Sequence, residues 1–180
     1  MQVNEPIRQL ESQRLLLRVP VLKDAEAVFE EYASDSEVTR FLTWKPHRTV
    51  ETVYEFMEGV IERNETGSEY SWLLSLPEED RPIGMIAARV SGHMADIGYV
   101  LGRNHWNCGY MTEATKTISD WILSQSGSFR VWAVCDTENV GSARVLEKSH
   151  FEREGVLRRW MIHPNISPEP RDCFIYGRVR

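Results

Sequence analysis

The sequence predicts an α+β fold: a mixed, mostly antiparallel sheet with helices on both faces. Three observations predict it. Short β-rich runs between residues 70 and 102 are separated by only a few turn residues, the signature of an antiparallel meander. Several other segments carry apolar residues at helical spacing. A strand-like run, a helix and a second strand-like run follow one another from Ala95 to Asp136, and such a unit closes as a parallel pair with a right-handed crossover. At 180 residues and 42% apolar content, the chain reads as one domain spanning 1–180 with a substantial core.

The elements follow in order. Arg14 to Pro20 alternates, with Leu15, Leu17 and Val19 on one side, and reads as a strand. Residues 22–34 read as a helix capped by Asp24, with Ala25, Val28, Phe29 and Tyr32 inward. Residues 49–65 form a second helix, its stripe being Val50, Val53, Tyr54, Met57 and Ile61. Strands are expected at Tyr70–Leu76, Ile83–Val90 and Ala95–Gly102. Thr112 to Gln125 is the third helix, capped by Thr112, stopped by Gly127, and lined inside by Ala114, Ile118, Trp121 and Ile122. Arg130 to Asp136 is almost wholly apolar and reads as a strand buried on both faces. A fourth helix capped by Asn139 and two closing strands, 155–162 and 173–179, complete the chain.

Composition excludes several functions. A formal charge of −6 with a pI of about 5.4 is not the footprint of a nucleic-acid binder, so no direct DNA binding is expected. Cys108, Cys135 and Cys173 are odd in number and form no C-x-x-C pair, which fits a reduced, cytoplasmic protein. The first twenty residues lack the basic-then-apolar order of a leader, and no run approaches the roughly 20 apolar residues of a membrane span. The histidines form no ligand set with the cysteines, so no metal site is expected.

The informative stretch is Leu101 to Leu123, in which a strand runs through a polar, glycine-containing loop into a helix. The first N–H groups of a helix lack intrahelical partners, and the helix dipole adds roughly half a positive charge. Such a terminus suits an anion, phosphate above all. Neither the Walker pattern nor the dinucleotide fingerprint is present. By itself the loop reads first as an ordinary strand-to-helix turn, with the phosphate site of some other nucleotide as a rival.

The segment ADIGYVLGRNHWNCGYMTEA, Ala95 to Ala114, resembles motif A of the GNAT N-acetyltransferases, and in particular the RimJ/RimL branch. Residues 10–44, Asn139 to Trp160 and Pro168 to Arg180 resemble further segments of that branch in the same order, so the resemblance spans nearly the whole chain. It implies a three-layer α/β/α sandwich whose central sheet is splayed at a cofactor cleft, with a bulge in the strand at Ala95–Leu101. It implies acetyl-CoA as cosubstrate and a primary amine as acceptor, either a protein N-terminus or a small molecule. It also implies a monomer or homodimer.

The resemblance assigns residues as well. Asn107, Cys108, Gly109, Tyr110, Met111 and Thr112 would wrap the pyrophosphate through backbone N–H groups. Val100 and Leu101 would offer backbone groups to the pantetheine arm, and an N–H near Val100 would hold the oxyanion. Asn139 and Ser142 would contact the arm, with Ser142 assisting the departing thiolate. Asp96 would be the general base, because a primary amine is protonated at neutral pH and must lose a proton to attack. Asn107 stands where the branch has a glycine, and Asn tolerates left-handed backbone better than most residues. Met111 stands where a small residue is usual, and its side chain is expected to turn into the core. The tyrosine acid of other members is replaced by Leu146, and a glycine past the last helix by His150. Trp44, Tyr32, Phe41, Trp72 and Tyr99 are candidates for an acceptor pocket or for core. These departures leave a second possibility beside the enzyme: a CoA-binding module of the same fold without turnover.

Overall fold

A computed structural model describes residues 8–180. The absence of a leader was read partly from the first seven residues, which lie outside the described ones. Strands β1 (Gln9–Glu11) and β2 (Leu16–Arg18) form a short hairpin, where the sequence suggests a single strand. A 3₁₀ turn (Leu22–Asp24), α1 (Ala25–Val28) and a π turn (Phe29–Ala33) make one continuous helical segment. Helices α2 (Ser36–Thr39) and α3 (Val50–Thr66) follow, then β3 (Tyr70–Ser75), β4 (Pro82–Ser91) and β5 (Met94–Leu101). Helix α4 (Tyr110–Ser124), β6 (Arg130–Asp136), α5 (Val140–Lys148), β7 (Glu152–Met161) and β8 (Arg171–Val179) complete the chain.

All eight strands form one sheet in the order β1-β2-β3-β4-β5-β6-β8-β7. Among the described residues only β5 and β6 pair in parallel, and the crossover between them is α4, as the sequence predicts. The last hairpin inserts β8, not β7, beside β6.

Apolar alternation in the strands sorts the side chains onto two faces. Trp72, Leu74, Ile86, Ile97 and Val131 pack with Ile118 and Ile122 of α4 and Leu146 of α5. Leu73 and Met85, on the opposite face, pack with Val28, Tyr32, Val53, Met57 and Val60 of the first helices. Burying each such aliphatic side chain contributes about 1.5–3 kcal/mol. On α3 it is Val60, not Ile61, that completes the buried stripe.

Several local expectations are corrected. β6 is not buried on both faces: Val131, Ala133 and Cys135 are buried while Trp132 and Val134 are partly exposed. Asp24 stands at the N-cap of α1 but makes no side-chain bond to it; its carboxylate instead accepts from the Val21 N–H at 2.9 Å, as in a capping box on the 3₁₀ turn, and pairs with Arg18 at 2.8 Å. Helix α4 begins at Tyr110 with Gly109 as its N-cap, so Thr112 lies inside it, and Gln125 is its C-cap. The β4–β5 register is unbroken from Gly84↔Leu101 to Ser91↔Met94, so this ladder carries no bulge.

Candidate active site

The parallel ladder between β5 and β6 is short. It holds Met94↔Arg130, Ala95↔Val131 and Asp96↔Trp132, and pairing stops there. Beyond it β5 runs on to Leu101 and β6 to Asp136, so a cleft opens between their carboxyl ends. On β5, an added Cβ at Gly98 would meet no atom within 4 Å, so the face next to Asp96 borders open space.

The loop closing the wide end of this cleft is built from sequence-local rules. A 3₁₀ turn (Arg103–His105) follows β5, and the Trp106 indole N–H donates to the Leu101 carbonyl at 2.8 Å. Asn107 has φ 62° and Gly109 φ 81°, so the chain makes two left-handed steps before α4 starts. Asn is among the few side chains that occupy that region with little penalty. The backbone N–H groups of residues 107–112 find no acceptor among the described residues, and the first helical bond is Glu113 N–H to the Gly109 carbonyl at 3.0 Å. Consecutive unpaired donors at a helix start, aimed into a cleft, are a geometry that can receive an anion.

Met111 is only 4% exposed and packs with Ile118, so its side chain turns away from the cradle, as expected. Cys108 is exposed in the loop; Cys135 and Cys173 are buried, and all three are free thiols. Arg14, from the β1–β2 turn, braces the loop from outside. Its guanidinium donates to the Cys108 carbonyl at 3.0 Å, pairs with Glu113 at 2.8 Å and lies 4.9 Å over the Tyr110 ring. Burial alone would raise the Glu113 pKa, but the Ser12 hydroxyl and the Arg14 N–H and guanidinium outweigh it and hold the carboxylate below its usual range.

Across the cleft, α5 starts as the sequence predicts: the Asn139 side chain accepts from the Ser142 N–H at 3.1 Å. The Ser142 hydroxyl meets the Tyr99 hydroxyl of β5 at 2.9 Å. Asp96, on β5, is gripped by Arg89 of β4, whose Nε donates to Oδ2 at 2.8 Å and whose terminal nitrogen reaches the same oxygen. Arg89 also pairs with Glu69 at 3.2 Å. Asp96 Oδ1 has no partner among the described residues.

The profile of the acetyltransferase (GNAT) domain family matches residues 14–152. This chain belongs to the GNAT acetyltransferase family. The acetyltransferase is 30% identical to the uncharacterized N-acetyltransferase YoaA of Bacillus subtilis, over 95% of this chain and 96% of that protein. Its fold superposes on a GNAT-family acetyltransferase structure from Bacillus anthracis with a TM-score of 0.82 at 29% identity, covering 95% of this chain and 98% of that one. It has the same fold as RimL, a ribosomal L7/L12 α-N-protein acetyltransferase solved with coenzyme A, at a TM-score of 0.82 and 19% identity, covering 93% and 95% of the two chains.

For this acetyltransferase the structure brings Asp96, Val100, Leu101, Asn107 to Thr112, Asn139 and Ser142 to the two walls and the mouth of one cleft. The aromatic candidates divide. Tyr32 and Trp72 are fully buried core, whereas Trp44 clusters with His47 and Phe56 at the surface of the second core. Phe41 sets its edge against His163, a buried histidine that also lies 3.6 Å from Asp136. Sequence reasoning missed Arg14, Arg89 and the Tyr99–Ser142 contact. Their partners lie 94, 7 and 43 residues away; Arg89 and Asp96 face each other across the β4–β5 hairpin, whereas no local pattern marks the other two pairs. No helix is long and apolar enough to cross a membrane among the described residues.

Proposed function

We propose that this chain transfers the acetyl group of acetyl-CoA to a primary amine by direct attack, with both substrates bound at once. The observation that carries the reading is the run of unpaired N–H groups from Asn107 to Thr112 at the mouth of a split sheet. The cradle fits a pyrophosphate: its donors are backbone groups that lose no side-chain entropy, and the Arg14 guanidinium, ion-paired with Glu113, lies beside Gly109. The RimL structure, which contains coenzyme A, has the same fold.

In this reading Val100 and Leu101 line the pantetheine arm on one wall, and Asn139 and Ser142 line it on the other. The Leu101 carbonyl already accepts from Trp106, which fixes the end of β5 against the loop. Asp96 is the group that takes the amine proton, directly or through a water, at its unpartnered Oδ1. Gly98 leaves room for the acceptor on the same face of β5. A backbone N–H near Val100 donates to the carbonyl oxygen as charge develops on it. The Ser142 hydroxyl faces the departing sulfur. Acceptors in this reading are protein N-termini or small amines.

A free-thiol assay over a panel of N-terminal peptides and small amines tests the proposal. Release of thiol from acetyl-CoA that depends on an added amine is the expected result. Binding of acetyl-CoA with no turnover on any amine would instead identify a binding module.

A further inference from the structure

Tyr99 and Ser142 come from opposite walls of the cleft, β5 and α5, and meet at their hydroxyls. The Tyr99 oxygen lies 2.9 Å from Ser142 Oγ and 3.3 Å from the Ser142 carbonyl oxygen. The Ser142 main chain is separately pinned, because its N–H donates to Asn139. Ser142 is therefore held at its nitrogen by the helix cap and at its oxygens by a tyrosine across the split. Leu146, one turn further along α5, is fully buried in the core and supplies no polar group.

We propose that Tyr99 is a positioning residue that aims the Ser142 hydroxyl at the departing sulfur. The inference rests on the acetyl-transfer reading above. Either hydroxyl can donate across this 2.9 Å contact; the proposal takes the Tyr99 phenol as donor to Ser142 Oγ, which leaves the serine proton to point into the cleft. Burial pushes the Tyr99 phenol well above its usual range, so it stays protonated and acts as a fixed donor. The chemistry then balances without a proton leaving either residue. The amine nitrogen bonds to the acetyl carbon, and the C–S bond breaks with its electron pair on sulfur. The amine, an ammonium at rest, loses one proton by way of Asp96 before it attacks and a second to solvent as the adduct collapses; the sulfur accepts the Ser142 hydrogen bond, and solvent protonates the released thiolate. One well-aimed hydrogen bond to a charge present only late in the reaction raises kcat and leaves ground-state binding alone.

The test compares wild type, Tyr99→Phe, Ser142→Ala and the double variant, with melting midpoints as a control on folding. Tyr99→Phe keeps the ring and removes one oxygen. Each single variant is expected to lower kcat by about 5- to 20-fold, the range of one hydrogen bond formed in the transition state, with KM for acetyl-CoA within about twofold. The double variant is expected to be no slower than Ser142→Ala alone, because the two groups act as one unit. An active wild type with Tyr99→Phe at full kcat, or with the two losses multiplying in the double variant, overturns the role of Tyr99. A wild type with no amine-dependent thiol release overturns the acetyl-transfer reading and this inference with it.

Discussion

Arg89 grips a single oxygen of Asp96, and that aspartate is the last residue of β5 to pair with β6. The guanidinium thus fixes the carboxylate at the vertex of the cleft and leaves its second oxygen open. In the proposed role of general base, Asp96 would contribute on the order of 10²–10⁴ to the rate. Asp96→Asn is expected to lower kcat/KM by about 100-fold or more and to flatten the acidic limb of its pH profile. The pair is part-exposed, so the melting midpoint should move little. An unchanged pH profile would remove Asp96 from the mechanism.

Asn107 occupies a left-handed step, φ 62°, in the exposed loop. A β-branched residue is a genuine outlier there, and glycine is at ease. Asn107→Val is expected to turn the loop N–H groups out of register and weaken acetyl-CoA binding by about tenfold or more, measured by calorimetric titration. Asn107→Gly is expected to bind within about twofold of wild type. Equal affinity for the valine variant would show that the cradle does not hold the cofactor.

His150 sits just past α5 with φ 68°. The His150 N–H reaches the Glu147 carbonyl at 3.2 Å, and the Phe151 N–H reaches the Leu146 carbonyl at 3.1 Å, which is the Schellman closure of a helix. A left-handed non-glycine residue costs roughly 1–2 kcal/mol, part of which the greater unfolded-state freedom of glycine gives back. His150→Gly should therefore stabilise by about 0.5–1 kcal/mol and raise the melting midpoint by about 1–4 °C.

Asp136 is buried and holds Arg171, the Glu138 N–H and the edge of His163. Burial acts to raise its pKa, but Arg171, the Glu138 N–H and His163 prevail and depress it. A depressed carboxylate adds stability that is present above its unfolded pKa and lost as pH falls through its folded one. Asp136 and Glu113 both behave this way, so urea unfolding should show stability flat near neutrality and falling on the acid side of the ordinary carboxylate range. Asp136→Asn should remove about 2–4 kcal/mol at neutral pH and shrink the acid-side slope.

Much of this architecture was legible because its signals are local. The meander 70–102 shows in turn spacing, α5 in its Asn139 cap, and the cofactor loop in the order of its motif. The N-terminal hairpin was not, because β1 is three residues long and its partners lie across a turn. Nor was β8 beside β6, since antiparallel pairing between distant segments leaves no mark in either. The helix start at Gly109 overrode a plausible Thr112 cap because two left-handed steps bring the chain into the helix early. In the site, the backbone donors were readable and the side-chain partners were not. Arg14 over Tyr110, Arg89 on Asp96 and Tyr99 on Ser142 exist only once the strands are laid side by side.

Parallel thermal melts with acetyl-CoA, ATP and GTP decide whether the proposed 107–112 cradle holds the pyrophosphate of acetyl-CoA. Saturating acetyl-CoA, at about 100 times its Kd, is expected to stabilise the fold by roughly 2.7 kcal/mol, with ATP and GTP giving little. Stabilisation by ATP or GTP with none from acetyl-CoA would contradict the account.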